Sequence, residues 1–220
     1  MKNGRHIAEY FGVGAVLTFV GGFLDAYTYI CRDGVFANAQ TGNMVLMAIR
    51  LTEGRFGQAL HYLLPILSFA AEVLIVEKIK ALYNDHPRVH WHRITVIAEM
   101  AVILAVGFLP SGMNSLANIL VSMTSAMQME GFRRINGKVY VTTMCTGNLR
   151  SGTESLFSFF HTGDKVKRRE ALLYYSIILI FILGAALGAF LTTVLGIRTV
   201  WLCIIGEAAA LILLMTDKDK

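Results

Sequence analysis

The chain has 220 residues, of which 55% are hydrophobic and only 16% are charged. Soluble domains carry about 25% charged residues, so this composition argues against a protein whose whole surface faces water. The formal net charge of +5 would fit a nucleic-acid partner. However, the basic residues lie between apolar runs, where they act as orientation signals in membrane proteins, so we expect a lipid bilayer and no nucleic acid as partner.

Apolar runs of membrane-spanning length follow one another along the chain. A helix of about 20 residues spans a bilayer, with a lower limit of roughly 17. Six runs reach or approach this length: Phe11–Cys31, His61–Ile79, Ile94–Pro110, Asn114–Phe132, Ala171–Leu195 and Thr199–Met215. Two further segments, Met44–Leu51 and Leu149–His161, are too short or too polar to span in the same way.

A three-residue motif occurs twice, once at the start of each short segment. Thr41-Gly42-Asn43 recurs as Thr146-Gly147-Asn148, and Asp25 and Glu130 precede the two copies at the same distance. A β-prone run lies shortly before each copy. The two copies lie about half the chain length apart. Such a separation in an apolar chain predicts two copies of one membrane unit that face a shared site. We place these copies at approximately 7–110 and 112–217 of a single membrane domain covering residues 1–220.

The distribution of Lys and Arg favours one topology. If both short segments enter and leave the membrane on the same side, most basic residues fall in cytoplasmic loops, and those left outside are Arg32, Arg50, Arg55 and Arg198. If both segments cross, the basic residues divide almost evenly, against the positive-inside rule. We therefore predict an all-α integral membrane protein with about six transmembrane helices, two short re-entrant helices and cytoplasmic termini. Crossing segments stay open as the alternative, since an extended stretch plus a short helix is long enough to traverse the bilayer.

This topology has a consequence for symmetry. Each half has three full crossings, so the second copy is inserted upside down relative to the first. The sequence thus predicts two inverted-topology repeats, an arrangement typical of transporters whose site lies between the repeats.

Each triplet is suited to the start of a helix after an extended segment. Thr41 is expected to cap the first N–H groups, and Gly42 permits close approach of another chain. Two such segments would pair antiparallel, with both helix N-termini aimed at one spot that favours an anion or a carboxylate. The candidate substrate-binding residues are Asn38, Gln40, Thr41, Gly42, Asn43, Gln128, Thr146, Gly147 and Asn148. The alternatives are that the triplets are turn-and-cap devices and that the neighbouring amides only satisfy exposed backbone groups.

Carboxylates within the apolar runs are candidates for proton coupling. Asp25, Glu99 and Glu207 lie inside predicted spans, where an ionisable group is costly and usually faces a cavity or a partner. We assign these three residues as candidate proton carriers. The alternative for each is a structural hydrogen bond or a side chain that reaches the membrane interface.

Small residues form faces on two of the predicted spans. Gly21-Gly22 lies in the first span, and Gly184 and Gly188 are spaced one helical turn apart in the fifth. Such faces predict close packing between helices.

The sequence contains no signature of catalysis or of metal binding. Cys31, Cys145 and Cys203 are widely spaced and fit neither a metal site nor a disulfide framework, so we expect small buried apolar side chains. No metalloprotease, nucleophile-elbow or phosphate-loop motif occurs. We expect neither enzyme activity nor a cofactor.

The two motifs and their flanks resemble one known family. Gly22–Ala26 followed by Val35–Asn43, and in the second half Met127-Gln128, Arg133-Arg134 and Thr143–Asn148, are similar to the paired motifs of the YoaK-like family of bacterial inner-membrane proteins. The resemblance implies about six spans in the bacterial cytoplasmic membrane. It brings no established substrate.

These observations favour a transporter of a small polar or anionic solute, with proton coupling and a site between the two triplets. The alternative is a non-transporting scaffold or sensor in which the triplets merely pack. A polar cavity that touches both triplets would favour transport, and tight apolar packing there would favour the alternative. A homodimer is left open.

Overall fold

Eight α-helices account for most of the residues that the structure describes. The computed structural model describes residues 11–83, 91–132, 134–135, 138–139 and 145–216. The helices are α1 (Phe11–Cys31), α2 (Gln40–Thr52), α3 (Phe56–Tyr83), α4 (Trp91–Val106), α5 (Asn114–Gly131), α6 (Cys145–Thr162), α7 (Lys165–Leu195) and α8 (Leu202–Met215). Short 3-10 helices at Ser111–Met113 and Gly196–Trp201 precede α5 and α8, and β1 (Arg134–Ile135) pairs antiparallel with β2 (Lys138–Val139). The predicted all-α class is confirmed.

The predicted apolar runs correspond to helices, although some helices extend beyond the runs. α1 begins and ends at the predicted residues. α7 begins at Lys165, before the apolar run, because Asp164 caps it: the Asp164 carboxylate accepts a hydrogen bond from the Val166 N–H at 2.8 Å. A polar first turn therefore lengthens this helix.

The starts of α2 and α6 correct one prediction. α2 begins at Gln40 and α6 at Cys145, so each triplet lies within the first helical turn. Ala39 occupies the N-cap position of α2, and no side chain caps that end. The prediction that Thr41 caps α2 was wrong, because the helix begins one residue before the triplet.

Several helices have the length and composition of membrane spans. Within the described residues, three helical stretches are long and apolar enough to cross a membrane: Phe11–Cys31, Phe56–Ile79 and Lys165–Met215. The third stretch contains α7 and α8, which are separated at Gly196, where φ is 66°. α4 has 16 residues and α5 buries several Asn, Ser and Thr side chains, and neither meets the same measure. These helices are those of an integral membrane protein.

The two halves of the chain, α1–α4 and α5–α8, pack by the same pairs of helices. α1 packs along α7 and α8, and correspondingly α5 packs along α3 and α4. α2 packs on α3 as α6 packs on α7, and α4 contacts α8. The first helix of each half thus packs against the third helix of the other half, so the halves interlock.

Helices at the same place in the two halves run antiparallel. Arg93 near the start of α4 donates to the Leu214 carbonyl at the end of α8, at 3.1 Å. At the opposite ends, the Trp201 indole N–H donates to the Leu104 carbonyl, also at 3.1 Å. In the same way α1 lies antiparallel to α5. Gln128 near the end of α5 donates to the Leu17 carbonyl in the first half of α1 at 3.1 Å, and Asn118 near the start of α5 donates to the Arg32 carbonyl just after α1 at 2.8 Å.

Glycines allow α1 and α7 to approach closely. A Cβ atom on Gly22 would collide with the Phe181 carbonyl oxygen, and one on Gly184 would collide with the Phe19 carbonyl oxygen. A Cβ atom on Gly188 would lie 2.8 Å from the Phe23 carbonyl oxygen. The predicted close packing of these small-residue faces is therefore confirmed.

Arg32 is buried in the interior, although the sequence analysis assigns it to an outer loop. Its side chain is 0% exposed, and its guanidinium donates to the carbonyl oxygens of Val106 and Leu109 at 3.1 and 3.0 Å. It also donates to Asn114 Oδ1 and to the Tyr27 hydroxyl oxygen, both at 3.0 Å. Partial negative charge at the carboxyl end of α4 stabilises the cation here, so Arg32 joins α1 to the α4–α5 connection.

Replacing Arg32 by Met should destabilise the protein. The substitution leaves buried oxygens at the end of α4 without donors, and each such group costs about 1–3 kcal/mol. We expect the midpoint of thermal unfolding in detergent to fall by about 5 °C or more. Arg55→Met is the control, because the Arg55 side chain is 56% exposed and makes only a surface ion pair with Glu53. Equal midpoints for the two variants would contradict a stabilising role for Arg32.

Candidate functional site

A partly enclosed cavity lies between the starts of α2 and α6. Its volume is about 720 Å³, and α1, α3, α5 and α7 complete its wall. The side chains around it are Asp25, Ala26, Tyr29, Ile30, Phe36, Asn38, Ala39, Gln40, Thr41, Phe69, Met129, Cys145, Thr146, Phe181, Ala185 and Ala189. Both halves of the chain therefore contribute to one cavity, whose wall is mostly apolar and aromatic.

The structure brings five of the predicted site residues to this cavity. Asp25, Asn38, Gln40, Thr41 and Thr146 line it. The other candidates lie in the protein around it and are not among its lining residues: Gly42, Asn43, Gln128, Gly147, Asn148, Glu99 and Glu207. The first residue of each triplet thus lines the cavity, while the glycine and the asparagine do not.

Asp25 holds the non-helical segment that leads into α2. Its carboxylate is only 6% exposed and accepts a hydrogen bond from the Asn38 N–H at 2.7 Å. The backbone N–H groups of Ala37 and Ala39 lie near enough to stabilise this carboxylate electrostatically. An oxyanion is the expected partner of such a set of N–H groups beside a helix start. The chain supplies that anion itself.

Asn43 satisfies the backbone of the same segment. Its Oδ1 accepts from the Phe36 N–H at 2.9 Å, and its Nδ2 donates to the Phe36 carbonyl at 2.8 Å and to Gln40 Oε1 at 2.9 Å. The amide therefore takes the place of a neighbouring strand. Asn43 is fully buried and acts on the cavity through Phe36.

The two amides that face the cavity also bond to backbone. Gln40 Nε2 donates to the Ala37 carbonyl at 3.0 Å, and Asn38 Nδ2 donates to the Gly21 carbonyl at 2.9 Å. The backbone role that the sequence leaves open for Asn38 and Gln40 is thus present, and both residues also line the cavity. The expected antiparallel pairing partner, residues 140–144, lies outside the described residues.

Gly42 shapes the aromatic wall of the cavity. A Cβ atom on Gly42 would lie 2.9 Å from the Phe36 ring, so glycine lets this ring lie against α2. Phe36 in turn stacks on Tyr29, with ring centroids 4.8 Å apart. The close approach predicted at Gly42 is therefore that of an aromatic side chain.

Gln128 and the second triplet take less direct positions. Gln128 is buried and donates to the Leu17 carbonyl, so it joins α5 to α1. Asn148 is buried within α6, and a Cβ atom on Gly147 would meet no described atom within 4 Å. Cys145 is half-buried and lines the cavity, whereas Cys203 is fully buried as expected.

Glu99 and Glu207 form a separate buried pair between α4 and α8. Each is 1% exposed, and their carboxyl groups lie close enough to interact directly. A hydrogen bond between two carboxyl groups requires a proton on at least one of them. Glu99 Oε1 and Glu207 Oε2 have no hydrogen-bond partner among the described residues. Two buried carboxylates this close repel each other, which favours a proton shared by the pair in the apolar core, away from the cavity.

The apolar and aromatic residues that line the cavity were not predicted from the sequence. Tyr29 reads as an interfacial anchor, and Phe36, Phe69 and Phe181 read as ordinary membrane-span residues. The only available signal is the position of Phe36 between Asp25 and the first triplet. Within the described part of the chain, no group of three His, Cys, Asp or Glu side chains is placed to hold a metal ion.

Two substitutions at Glu207 test separately what its charge and its hydrogen-bonding capacity contribute to stability. Glu207→Gln keeps a donor for the Glu99 carboxylate, so we expect thermal unfolding in detergent to change little. Glu207→Ala removes buried volume and the partner of Glu99, which should cost about 2 kcal/mol or more. Glu154→Ala, at an exposed ion pair with Arg150, is the control and should have a small effect. A Gln variant as unstable as the Ala variant would contradict a shared proton.

The comparisons with known proteins agree with the resemblance seen in the motifs. No curated protein and no solved structure matches the chain. One family model matches residues 13–213, and its description is protein of unknown function (DUF1275). The YoaK-like resemblance is consistent with this match. Because the match covers nearly the whole chain, the protein belongs to the DUF1275 family.

Proposed function

We propose that this protein is a membrane transporter of a small solute, which binds in the cavity between the starts of α2 and α6. The observation that carries the proposal is that Thr41 and Thr146, the equivalent residues of the two triplets, line one cavity together with Asp25. A site shared by two repeats is the arrangement that alternating access requires, because motion of one repeat against the other opens it to either side.

In this proposal the two halves are inverted repeats. The antiparallel course of α1 against α5 and of α4 against α8 supports the inversion, as does the reciprocal packing of each first helix on the opposite third helix. The six spans are α1, α3, α4, α5, α7 and α8. α2 and α6 are re-entrant, and both termini lie in the cytoplasm of a bacterium, with the spans in its inner membrane.

The non-helical backbone between α1 and α2 fits this arrangement. Unsatisfied backbone groups are not tolerated against lipid, but they occur at membrane depth where protein covers them or where they line a cavity. Val35 and Ala37 are buried, and Asn43 satisfies the backbone of Phe36. A scaffold needs no such interrupted segment beside a cavity, whereas a transporter uses it to bind solute.

Proton coupling completes the proposal. Glu99 and Glu207 lie on equivalent helices of the two halves, so relative motion of the halves would part or rejoin their carboxyl groups. Asp25, in the cavity wall, is the third candidate carrier. A proton that is bound in one arrangement and released in the other would couple solute movement to the proton gradient.

Access to Cys145 tests transport without knowledge of the solute. In a Cys31→Ser, Cys203→Ala variant, Cys145 is the remaining thiol, and it lines the cavity. We expect a membrane-impermeant maleimide to label it in right-side-out and in inside-out vesicles, because alternating access exposes the cavity to both sides.

Two controls report the topology in the same experiment. Ser111→Cys, between α4 and α5, should be labelled only from outside when it is the single cysteine of the chain. Thr162→Cys, at the end of α6, should be labelled only from the cytoplasmic side when it is the single cysteine. Labelling of Cys145 from one side alone would contradict transport and favour a scaffold or a sensor.

The pH dependence of this labelling tests coupling. If protonation of the glutamate pair shifts the balance between outward-open and inward-open forms, the ratio of outer to inner Cys145 labelling should change with pH. The ratio cancels the pH dependence of the thiol reaction itself. A Glu99→Gln, Glu207→Gln variant should give a constant ratio, and Asp25→Asn tests the third carrier separately. A pH-dependent ratio in the glutamine variant would remove the pair from the coupling role.

A further inference from the structure

The charge of the cavity wall limits the solutes that it accepts. Asp25 is the one acidic side chain around the cavity, and no Lys, Arg or His occurs among the described lining residues. A carboxylate with so little access to water needs a cation or several hydrogen-bond donors close to it. An anionic solute would meet repulsion from Asp25 and no described basic side chain to offset it.

The donors that an anion would use are already engaged. The N–H of Asn38 donates to the Asp25 carboxylate, and those of Ala37 and Ala39 lie near enough to stabilise it. The sequence predicts an anionic solute at the start of α2. The Asp25 carboxylate of the chain itself already occupies that position. What Asp25 still offers to the cavity is acceptor capacity, because a carboxylate has about four lone-pair directions.

The Asn38 side chain is fixed next to Asp25. Its Nδ2 donates to the Gly21 carbonyl at 2.9 Å, which fixes the orientation of the amide. Its Oδ1 is then left buried with no hydrogen-bond partner among the described residues. This oxygen has almost no accessible surface, so Asp25 is the acceptor that a molecule in the cavity can reach.

Aromatic rings supply the rest of the recognition. Tyr29, Phe36, Phe69 and Phe181 all line the cavity. The faces of aromatic rings attract cations and also pack against apolar groups. Rings from α1, α3, α7 and the non-helical segment therefore suit a molecule that has an apolar body and a positive end.

We propose that the solute is a small organic ammonium ion with an apolar or aromatic body. Its ammonium group donates to Asp25, and its body lies among the four rings. This inference rests on the cavity of the proposed function. Of the polar or anionic solutes expected from the sequence, it keeps the polar class, specifies a cation and excludes an anion.

Three probes of one shape separate charge from size. Phenethylammonium, phenethyl alcohol and phenylacetate share an aromatic body and differ in the group at its end. Binding to the purified full-length protein in detergent at neutral pH is measured by titration calorimetry and by thermal shift. We expect phenethylammonium to bind and stabilise, phenethyl alcohol to bind more weakly, and phenylacetate not to bind.

Variants assign the binding to this cavity. Asp25→Asn keeps an acceptor for the Asn38 N–H and should lower the affinity for phenethylammonium about tenfold or more. Phe69→Leu should lower it about threefold. Asp33→Asn and Phe157→Leu are the matched controls, since both side chains are exposed and lie outside the cavity wall, and neither should change the affinity.

The possible failures are distinguishable. Phenylacetate binding as tight as phenethylammonium binding, or equal affinities in the Asp25→Asn and Asp33→Asn variants, would overturn the ammonium proposal. Transport would still stand if Cys145 is labelled from both sides. Conversely, phenethylammonium binding that depends on Asp25, with Cys145 labelled from one side only, would support the ammonium site and overturn transport.

Discussion

The hydrogen bonds that Asp25 and Asn43 make to the segment between α1 and α2 are the interactions on which the cavity depends. In an apolar interior, the N–H and carbonyl groups of a non-helical segment need partners, and no neighbouring strand provides them among the described residues. Asp25 holds the segment from the side of α1, and Asn43 holds it from the side of α2. Phe36 is thereby fixed against Gly42 and Tyr29, and the space left between these residues and α6 is the cavity.

The interlocking of the two halves explains why that space has walls from both. Because glycines bring α1 onto α7, the Asp25 side of the first half lies against the third helix of the second half, where Phe181, Ala185 and Ala189 are small or flat enough to leave room. Arg32 secures the far end of α1 by bonding to the end of α4 and to Asn114. The wall of the cavity is thus set by contacts at both ends of α1.

Periodicity and composition predicted what depends on local sequence. The apolar runs predict the bounds of α1. The repeated triplet predicts that α2 and α6 exist and that Asp25, Thr41 and Thr146 lie close together. The burial of Arg32 could not be predicted, because its acceptors are carbonyls of a helix end distant in sequence. The structural role of Asn43 was missed for a related reason, since a short polar motif indicates a turn but not which backbone its amide bonds. The aromatic wall gave no signal, because a ring that lines a cavity and a ring that faces lipid look alike in sequence.

The two acidic sites differ in a way that assigns different tasks to them. Asp25 lies in a cavity wall, whereas Glu99 and Glu207 are buried next to each other between α4 and α8. A buried carboxyl pair exchanges its proton only when the surrounding helices move apart, because the apolar interior gives the separated charge no other stabilisation. In the proposed inverted arrangement, α4 and α8 are the equivalent helices that meet where the halves join. In that arrangement, motion of one half against the other would act on the pair, and α1, which packs on α8, would connect that motion to Asp25.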